Sequence, residues 1–251
     1  MKKLVLLISS LGLIMLKASA FSLTDPFYML EKNQIVGDLN IAFTNEDARF
    51  DDSFALKGGI NFGVQDRLNL GINFGWAKIQ HHSKGLIDPK ITAKYRFRDG
   101  LSDGYYADLD AFFSPQIFNS WQGDNGGAKG ATDLGATLKI GSTEMINNFT
   151  LYAGAAVKYY GHSKLVSAGT GLTALAGAKY YVDEKNSFEI CFDASNYFGF
   201  IRNHIGAGFD INYAREIDQD KAAFIVYYGA ERHNKHIPSY NHYGVKWRYV
   251  F

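Results

Sequence analysis

The 251-residue chain holds a single cysteine, Cys191, and only four prolines. One cysteine cannot close an internal disulfide, so the fold is not a disulfide scaffold. Acidic and basic side chains nearly cancel, leaving a formal net charge of +1. That balance gives no electrostatic footprint for nucleic acid, and no such partner is expected. Beyond the first 20 residues no apolar run reaches about 18, the length a helix needs to cross a bilayer. Sustained helical periods and linkers are missing too. No spacing calls for a metal or a cofactor, and none is expected.

The first 20 residues differ from the rest. Lys2 and Lys3 precede an apolar run, and Ala18-Ser19-Ala20 stands before Phe21. This is the pattern of a secretory signal peptide with an A-x-A cleavage site. The other reading is a membrane anchor, but Lys17 interrupts the run and leaves it short for a span. The chain then divides into a cleaved leader, residues 1–20, and one domain, residues 21–251.

What the domain has in quantity is glycine and aromatics: 26 Gly, 19 Phe and 16 Tyr. With so few prolines, that composition favours strands over helices. Alternation with period two runs through nearly all of it. About twelve segments stand out, near residues 34–43, 53–64, 67–76, 90–98, 105–114, 132–140, 149–160, 172–182, 188–197, 204–215, 221–230 and 240–251. The third is the clearest, with Leu68, Leu70, Ile72, Phe74 and Trp76 alternating with Asn69, Gly71, Asn73 and Gly75. The eleventh is apolar on both faces, so its register is ambiguous.

Segments of about 9–12 residues match tilted strands that cross a bilayer. Connections after odd strands are mostly long; those after even strands are short and rich in turn residues. Residues 198–203, after strand nine, are a brief exception. Long outer loops and short periplasmic turns suit an outer-membrane barrel with both termini in the periplasm. Aromatics gather near strand ends, as interfacial girdles do. A soluble sandwich or barrel would also put one face of each strand in an apolar core. Its other face would be charged, whereas here that face is rich in Gly and small residues. The expected fold is therefore an all-β, antiparallel, up-and-down transmembrane β-barrel of about twelve strands.

If the apolar faces meet lipid, the polar faces line the lumen. The expected lumen-lining charges are Asp38, Lys94, Arg96, Asp108, Asp110, Lys179, Glu189, Asp193, Asp210, Lys246 and Arg248. Adjacent strands carry opposite signs: Lys94 and Arg96 face Asp108 and Asp110, Lys179 faces Glu189 and Asp193, and closure brings Lys246 and Arg248 to Asp38. Such pairs stabilise a sheet, and they also suit a polar constriction that selects a solute. Twelve strands enclose less space than the 16–18 of an open porin, so any route is narrow.

Three further features stand out in the sequence. The seven histidines, His81, His82, His162, His204, His233, His236 and His242, all fall at the outer end. They suit a metal site or a pH-responsive mouth, but no spacing is diagnostic. His81-His82-Ser83 has the His-x-Ser spacing of some lipid hydrolases. It reads as loop, where nothing fixes hydroxyl–imidazole geometry, and Tyr95 stands where a third member commonly lies. No enzyme is expected, and no catalytic residue is assigned. Last, Val245, Trp247, Tyr249 and Phe251 alternate to the final residue. Trp247, Tyr249 and Phe251 are the expected assembly signal.

Gly63, Val64, Asp66, Arg67, Leu68, Leu70 and Gly71, followed by Gly85, Asp88, Lys94, Tyr95 and Arg96, carry a family likeness. This hairpin and the strand after it resemble outer-membrane proteins of the MetA-pathway-of-phenol-degradation type, a transporter family. The terminal Phe251 resembles the signal read by the barrel assembly machinery. The resemblance implies an outer-membrane location and a transport-like role, without naming a ligand. The expectation is a porin-like, narrow channel or transporter for an unknown small solute in a Gram-negative-type outer membrane. Its expected partners are outer-membrane lipids and the assembly machinery. The alternatives are a non-conducting structural or surface-interaction barrel and a lipid-modifying enzyme.

Overall fold

The computed structural model describes residues 22–46, 52–79, 83–120, 126–142, 148–163, 167–199, 203–218, 220–234 and 239–251. The expected leader, His81, His82 and His236 lie outside the described residues.

Twelve strands form one closed antiparallel barrel. They are β1 (Ile35–Glu46), β2 (Ser53–Gln65), β3 (Leu68–Ile79), β4 (Ser83–Arg98), β5 (Tyr106–Ser114), β6 (Asp133–Ser142), β7 (Phe149–Tyr160), β8 (Gly169–Tyr181), β9 (Asn186–Phe198), β10 (His204–Asp218), β11 (Ala222–His233) and β12 (Tyr240–Val250). A one-turn helix, Gly100–Asp103, joins β4 to β5. Each strand pairs with its sequence neighbours, and β12 closes on β1 with Trp247 opposite Leu39 and Arg248 opposite Asp38. Both termini and the short turns share one end, called here the terminal end. Asp183 caps one of these turns. Its carboxylate accepts from the Asn186 side chain and from the backbone N–H groups of Lys185 (2.8 Å) and Asn186 (2.7 Å). Those bonds, led by the Asn186 side chain, hold the carboxyl below its usual range.

The packing is inside out. Among the described residues, 39 large apolar or aromatic side chains are exposed, against 14 buried hydrophobic residues, eight of them alanine. Phe74 is 54%, Phe192 56% and Ile205 57% exposed. Leaving one such side chain in water instead of burying it forfeits about 1.5–3 kcal/mol. A belt of them is stable only against lipid, and in an antiparallel barrel every strand hydrogen-bonds on both edges, as lipid requires. The outer aromatics form a girdle at the terminal end. Phe149, Tyr180, Phe188 and Tyr213 are register neighbours across β7–β10. Their ring centroids lie 4.7 Å (Phe149–Tyr180) and 5.1 Å (Phe188–Tyr213) apart.

Two elements differ from the sequence reading. Residues 83–89, expected in an outer loop, are the first part of β4. Asn73 pairs with Lys90 and Gly75 with Ile87, so Asp88 and Pro89 sit at a register shift. A bulge is where a sheet tolerates proline, which has no N–H to donate. It also breaks the alternation that marks a strand. The second difference is residues 22–34. They belong to no strand, and they fold into the terminal end of the barrel.

Candidate functional site

Residues 22–34 carry three of the largest buried apolar side chains among the described residues, Leu23, Phe27 and Leu30. Phe27 is fully buried, stacked on Tyr106 at 5.5 Å and edge-on to Tyr152 at 6.4 Å. Around this apolar centre the segment turns tightly. Asp25 N–H donates to the Ser22 carbonyl at 2.8 Å, and Phe27 N–H to Asp25 Oδ1 at 2.7 Å. Asn33, at φ 68°, then redirects the chain into β1. Its N–H donates to the Gly63 carbonyl at 2.7 Å, and Gly63 N–H donates to Gln34 at 2.9 Å. A Cβ at Gly63 would lie 1.9 Å from the Glu31 carbonyl oxygen, so this approach needs glycine.

Cations of the wall grip the segment's backbone. Arg248 donates to the Leu23 carbonyl at 2.5 Å, and Lys179 to the Thr24 carbonyl at 2.5 Å and its hydroxyl at 2.6 Å. Lys94 donates to the carbonyls of Pro26 (3.2 Å) and Tyr28 (2.9 Å). Arg96 donates to the Phe27 carbonyl, and Lys139 reaches that of Pro26 at 3.4 Å. On the acidic side, Glu216 accepts from Leu23 N–H at 2.8 Å. Asp25 accepts from Tyr181 and, at 3.4 Å, from Thr150. A hydrogen bond to a charged group contributes about 1.5–3 kcal/mol. Several of them, from β4, β6, β8, β10 and β12, hold one short piece of chain.

The same residues also pair with one another. Asp108, fully buried, meets Lys94 at 3.1 Å and Arg96 at 2.9 Å, while Asp110 meets Lys139 at 2.8 Å. At the seam, Asp38 meets Lys246 at 3.3 Å and Arg248 at 2.9 Å. Lys179 stands opposite Glu189 in register, but its ammonium goes to Thr24, and Glu189 accepts instead from Tyr152 at 2.6 Å. The sequence reading matched charges between strands and missed the segment they hold. Residues 22–34 have no period, so no pattern flagged them. The remaining signal was their length: an apolar, Pro-containing stretch ahead of β1 that no strand needs.

Toward the loop end the inner face changes character. Asp210 accepts from His242 Nε2 at 2.6 Å. Glu231 accepts from Tyr197 at 2.9 Å, from Tyr240, and from His233 Nε2 at 2.8 Å. His204 stacks on Tyr197 at 4.4 Å. Asp193 lies beside Gly208, where a Cβ would be 2.6 Å from its Oδ1. Among the described residues no three His, Cys, Asp or Glu side chains group as a metal site. Ser83 begins β4, and its hydroxyl donates to the Gly126 carbonyl at 2.6 Å.

Two cavities flank the segment. One, of about 500 Å³, lies between Pro26, Tyr28 and Leu30 and the wall of β2–β6, with Lys90, Thr92 and Phe112 in its lining. The other, of about 200 Å³, lies toward β8–β12, against Thr24, Glu189, Asn212 and Tyr227.

The quoted likeness residues acquire physical roles in this geometry. Gly63 admits residue 31, and Arg96 holds Phe27 and Asp108. Asp88 Oδ1 accepts the N–H groups of Ile117 (2.7 Å) and Phe118 (2.8 Å). Gly85 lets residues 126 and 127 approach, with a Cβ there only 2.7 Å from Gly127 N.

No protein-family description matches the chain, and no curated protein matches it. Solved structures do. The COG4313 outer membrane channel from Pseudomonas putida F1 superposes with a TM-score of 0.71 at 12% identity, over 91% of this chain and 100% of that one. The NanC porin gives 0.55 at 11% identity, over 84% and 98%, and the KdgM porin 0.52 at 10%, over 85% and 99%. At such identities the likeness speaks for architecture: this chain has the fold of an outer-membrane β-barrel.

Proposed function

We propose that this chain is an outer-membrane channel for small solutes, with a narrow charged lumen that its own residues 22–34 close at the terminal end. The carrying observation is the grip on that segment. Its carbonyls at Leu23, Thr24, Pro26, Phe27 and Tyr28 are held by wall cations, with cavities left on both sides. A barrel built only as a scaffold has no need for cavities beside a backbone segment held by charge. The fold shared with three channels and porins supports the reading, as does the resemblance of residues 63–96 to a transporter family. The terminal end is then the periplasmic end, the outer belt meets outer-membrane lipid, and the assembly machinery reads Trp247, Tyr249 and Phe251. Asp38, Lys94, Arg96, Asp108, Asp110, Lys179, Glu189, Lys246 and Arg248 line the closed end of the route, and Asp193 and Asp210 its outer part. No chemistry is proposed for Ser83, whose hydroxyl is engaged by Gly126.

Planar-bilayer conductance tests the proposal. The intact chain is expected to conduct weakly, and a chain lacking residues 22–33 to conduct several-fold more. A folded barrel whose conductance is unchanged by that deletion, or by Arg96→Ala with Asp108→Ala, overturns it.

A further inference from the structure

One row of the inner wall is left uncompensated. At one level it runs from Lys57 on β2 past Gly75 on β3 to Lys90 on β4, then through Phe112 on β5 and Gly135 on β6 to Lys158 on β7. The register aligns Lys57 with Gly75, Phe112 with Gly135, and Gly135 with Lys158. Lys90 pairs two residues away, with Asn73, beside the bulge, and Phe112 pairs with Thr92, two residues from Lys90. The two glycines keep the row open: a Cβ at Gly75 would come 3.2 Å from Lys57 Cγ, and one at Gly135 2.6 Å from the Phe112 ring. Lys90 Nζ therefore sits 4.1 Å from the Phe112 ring centroid, and Lys158 Nζ 5.8 Å from the same centroid. Both ammonium groups thus lie near one aromatic ring, and Lys158 Nζ is closer still to the Tyr160 ring, at 4.4 Å.

None of the three lysines has a carboxylate within ion-pair distance among the described residues, although every other inner cation named above is paired or bonded to a carbonyl. Of the acids on this wall, Asp108 and Asp110 are held by Lys94, Arg96 and Lys139, and Asp133 has both oxygens on Lys129 at 3.0 Å and also accepts Gly161 N–H. The facing wall, β9–β12, is acidic and largely answered: His242 serves Asp210 Oδ1, and His233, Tyr197 and Tyr240 serve Glu231, which leaves Asp193 as the acid there with no hydrogen bond among the described residues. The asymmetry has a direction. On the β2–β7 side a passing anion meets ammonium groups with no carboxylate partner, whereas on the facing side Asp210 and Glu231 already accept from His242, His233, Tyr197 and Tyr240. Below the row opens the cavity of about 500 Å³, whose lining includes Lys90, Phe112, Thr92 and Asn61. It offers polar hydroxyl and amide groups beside an aromatic ring, and space for a ring-sized body.

We infer that Lys57, Lys90 and Lys158, spaced by Gly75 and Gly135 around Phe112, form a binding site for a small organic carboxylate. The carboxylate replaces water on the ammonium groups, and its apolar body lies along Phe112 and the lysine stems. The inference deepens the channel reading by naming a solute class, and rests on it only for how the solute arrives.

Equilibrium binding to the full chain, folded in detergent, tests the site with sodium benzoate, and with benzamide and inorganic phosphate as comparisons. Benzoate is expected to bind and benzamide, its neutral analogue, not to. Lys90→Gln and Lys158→Gln should each weaken benzoate roughly tenfold or more, the scale of one charge-assisted hydrogen bond. Lys185→Gln, in a turn at the opposite end, should change nothing. Lys57→Gln, which leaves the stacked ring untouched, serves if the other variants fail to show the heat-modifiable mobility of a folded barrel. Absence of benzoate binding, equal binding of benzamide, phosphate binding as tight as benzoate, or binding unchanged in the Lys→Gln variants overturns the proposal. Conductance is read separately, in bilayers. A chain that binds benzoate without conducting refutes the channel and keeps the site; one that conducts without binding does the reverse.

Discussion

Arg96 holds Asp108 with two parallel hydrogen bonds, Nε to Oδ1 at 2.9 Å and Nη2 to Oδ2 at 3.0 Å, while also donating to the carbonyl of Phe27. One guanidinium thus ties β4, β5 and the inserted segment together. Breaking a buried pair from one side is costly, because the other charge stays behind. Arg96→Ala leaves the fully buried Asp108 with Lys94 alone at 3.1 Å. We expect a loss of about 3–5 kcal/mol, read from denaturant unfolding in lipid. Arg96→Lys should recover only part of it, since an ammonium cannot reproduce the forked contact. Equal stability of Arg96→Ala and the parent would show that the fork contributes little.

Gly63→Ala addresses the segment without touching any charge. The added methyl would meet the Glu31 carbonyl at 1.9 Å, a contact neither group tolerates. The backbone of residue 31 must then move. The barrel should still form, with ordinary heat-modifiable mobility, and its conductance should rise toward that of the chain lacking residues 22–33. Parental conductance would mean the segment shifts without uncovering a route.

Deleting Phe251 tests the seam. Its N–H donates to the Ile35 carbonyl at 2.9 Å, its ring packs at 5.1 Å from Tyr249, and it fills the space that Gly37 leaves open. The deletion removes the last link between β12 and β1 and the end of the expected assembly signal. The folded yield in membranes should fall several-fold, while the same chain refolded in detergent should lose far less. Equal losses in both would make Phe251 a stability residue and nothing more.

Ser83→Ala separates catalysis from packing. The hydroxyl donates to the Gly126 carbonyl at 2.6 Å. Lipid hydrolysis by the purified chain is expected to be absent before and after the change. Stability should drop by about 1 kcal/mol, an ordinary hydrogen bond. Hydrolysis by the parent that Ser83→Ala abolishes would revive the enzyme reading.

The strands were legible because a membrane barrel writes itself in period two. Leu68 to Trp76 show it cleanly: alternate side chains meet lipid, and the ones between are Asn or Gly. Legibility failed where another constraint overrode the period. At Asp88 and Pro89 the bulge shifts the faces by one. In β11 the inward Tyr227, bonded to Asn40 at 3.0 Å, looks as apolar in sequence as the outward Val226 and Tyr228. Charge partners were half legible. Arg248 and Asp38 follow from antiparallel closure, but Lys179 turns away from Glu189 to a backbone carbonyl. A carbonyl has no letter of its own in a sequence. The lysine row was unreadable for a related reason, since its coherence lies in the glycines between its members and in the ring that two of them approach.

The inverted packing has a consequence for what holds each part together. The wall presents its large side chains outward, so it answers to the apolarity of whatever surrounds it, lipid or detergent. Residues 22–34 are anchored by buried Leu23, Phe27 and Leu30 and also by ammonium and guanidinium groups on carbonyl oxygens, bonds for which water and dissolved anions compete. The two parts therefore melt under different solvents. A chaotropic anion that leaves the cylinder intact is expected to loosen the inserted segment, and a change of lipid that strains the cylinder leaves the segment's polar contacts to be decided by the water inside.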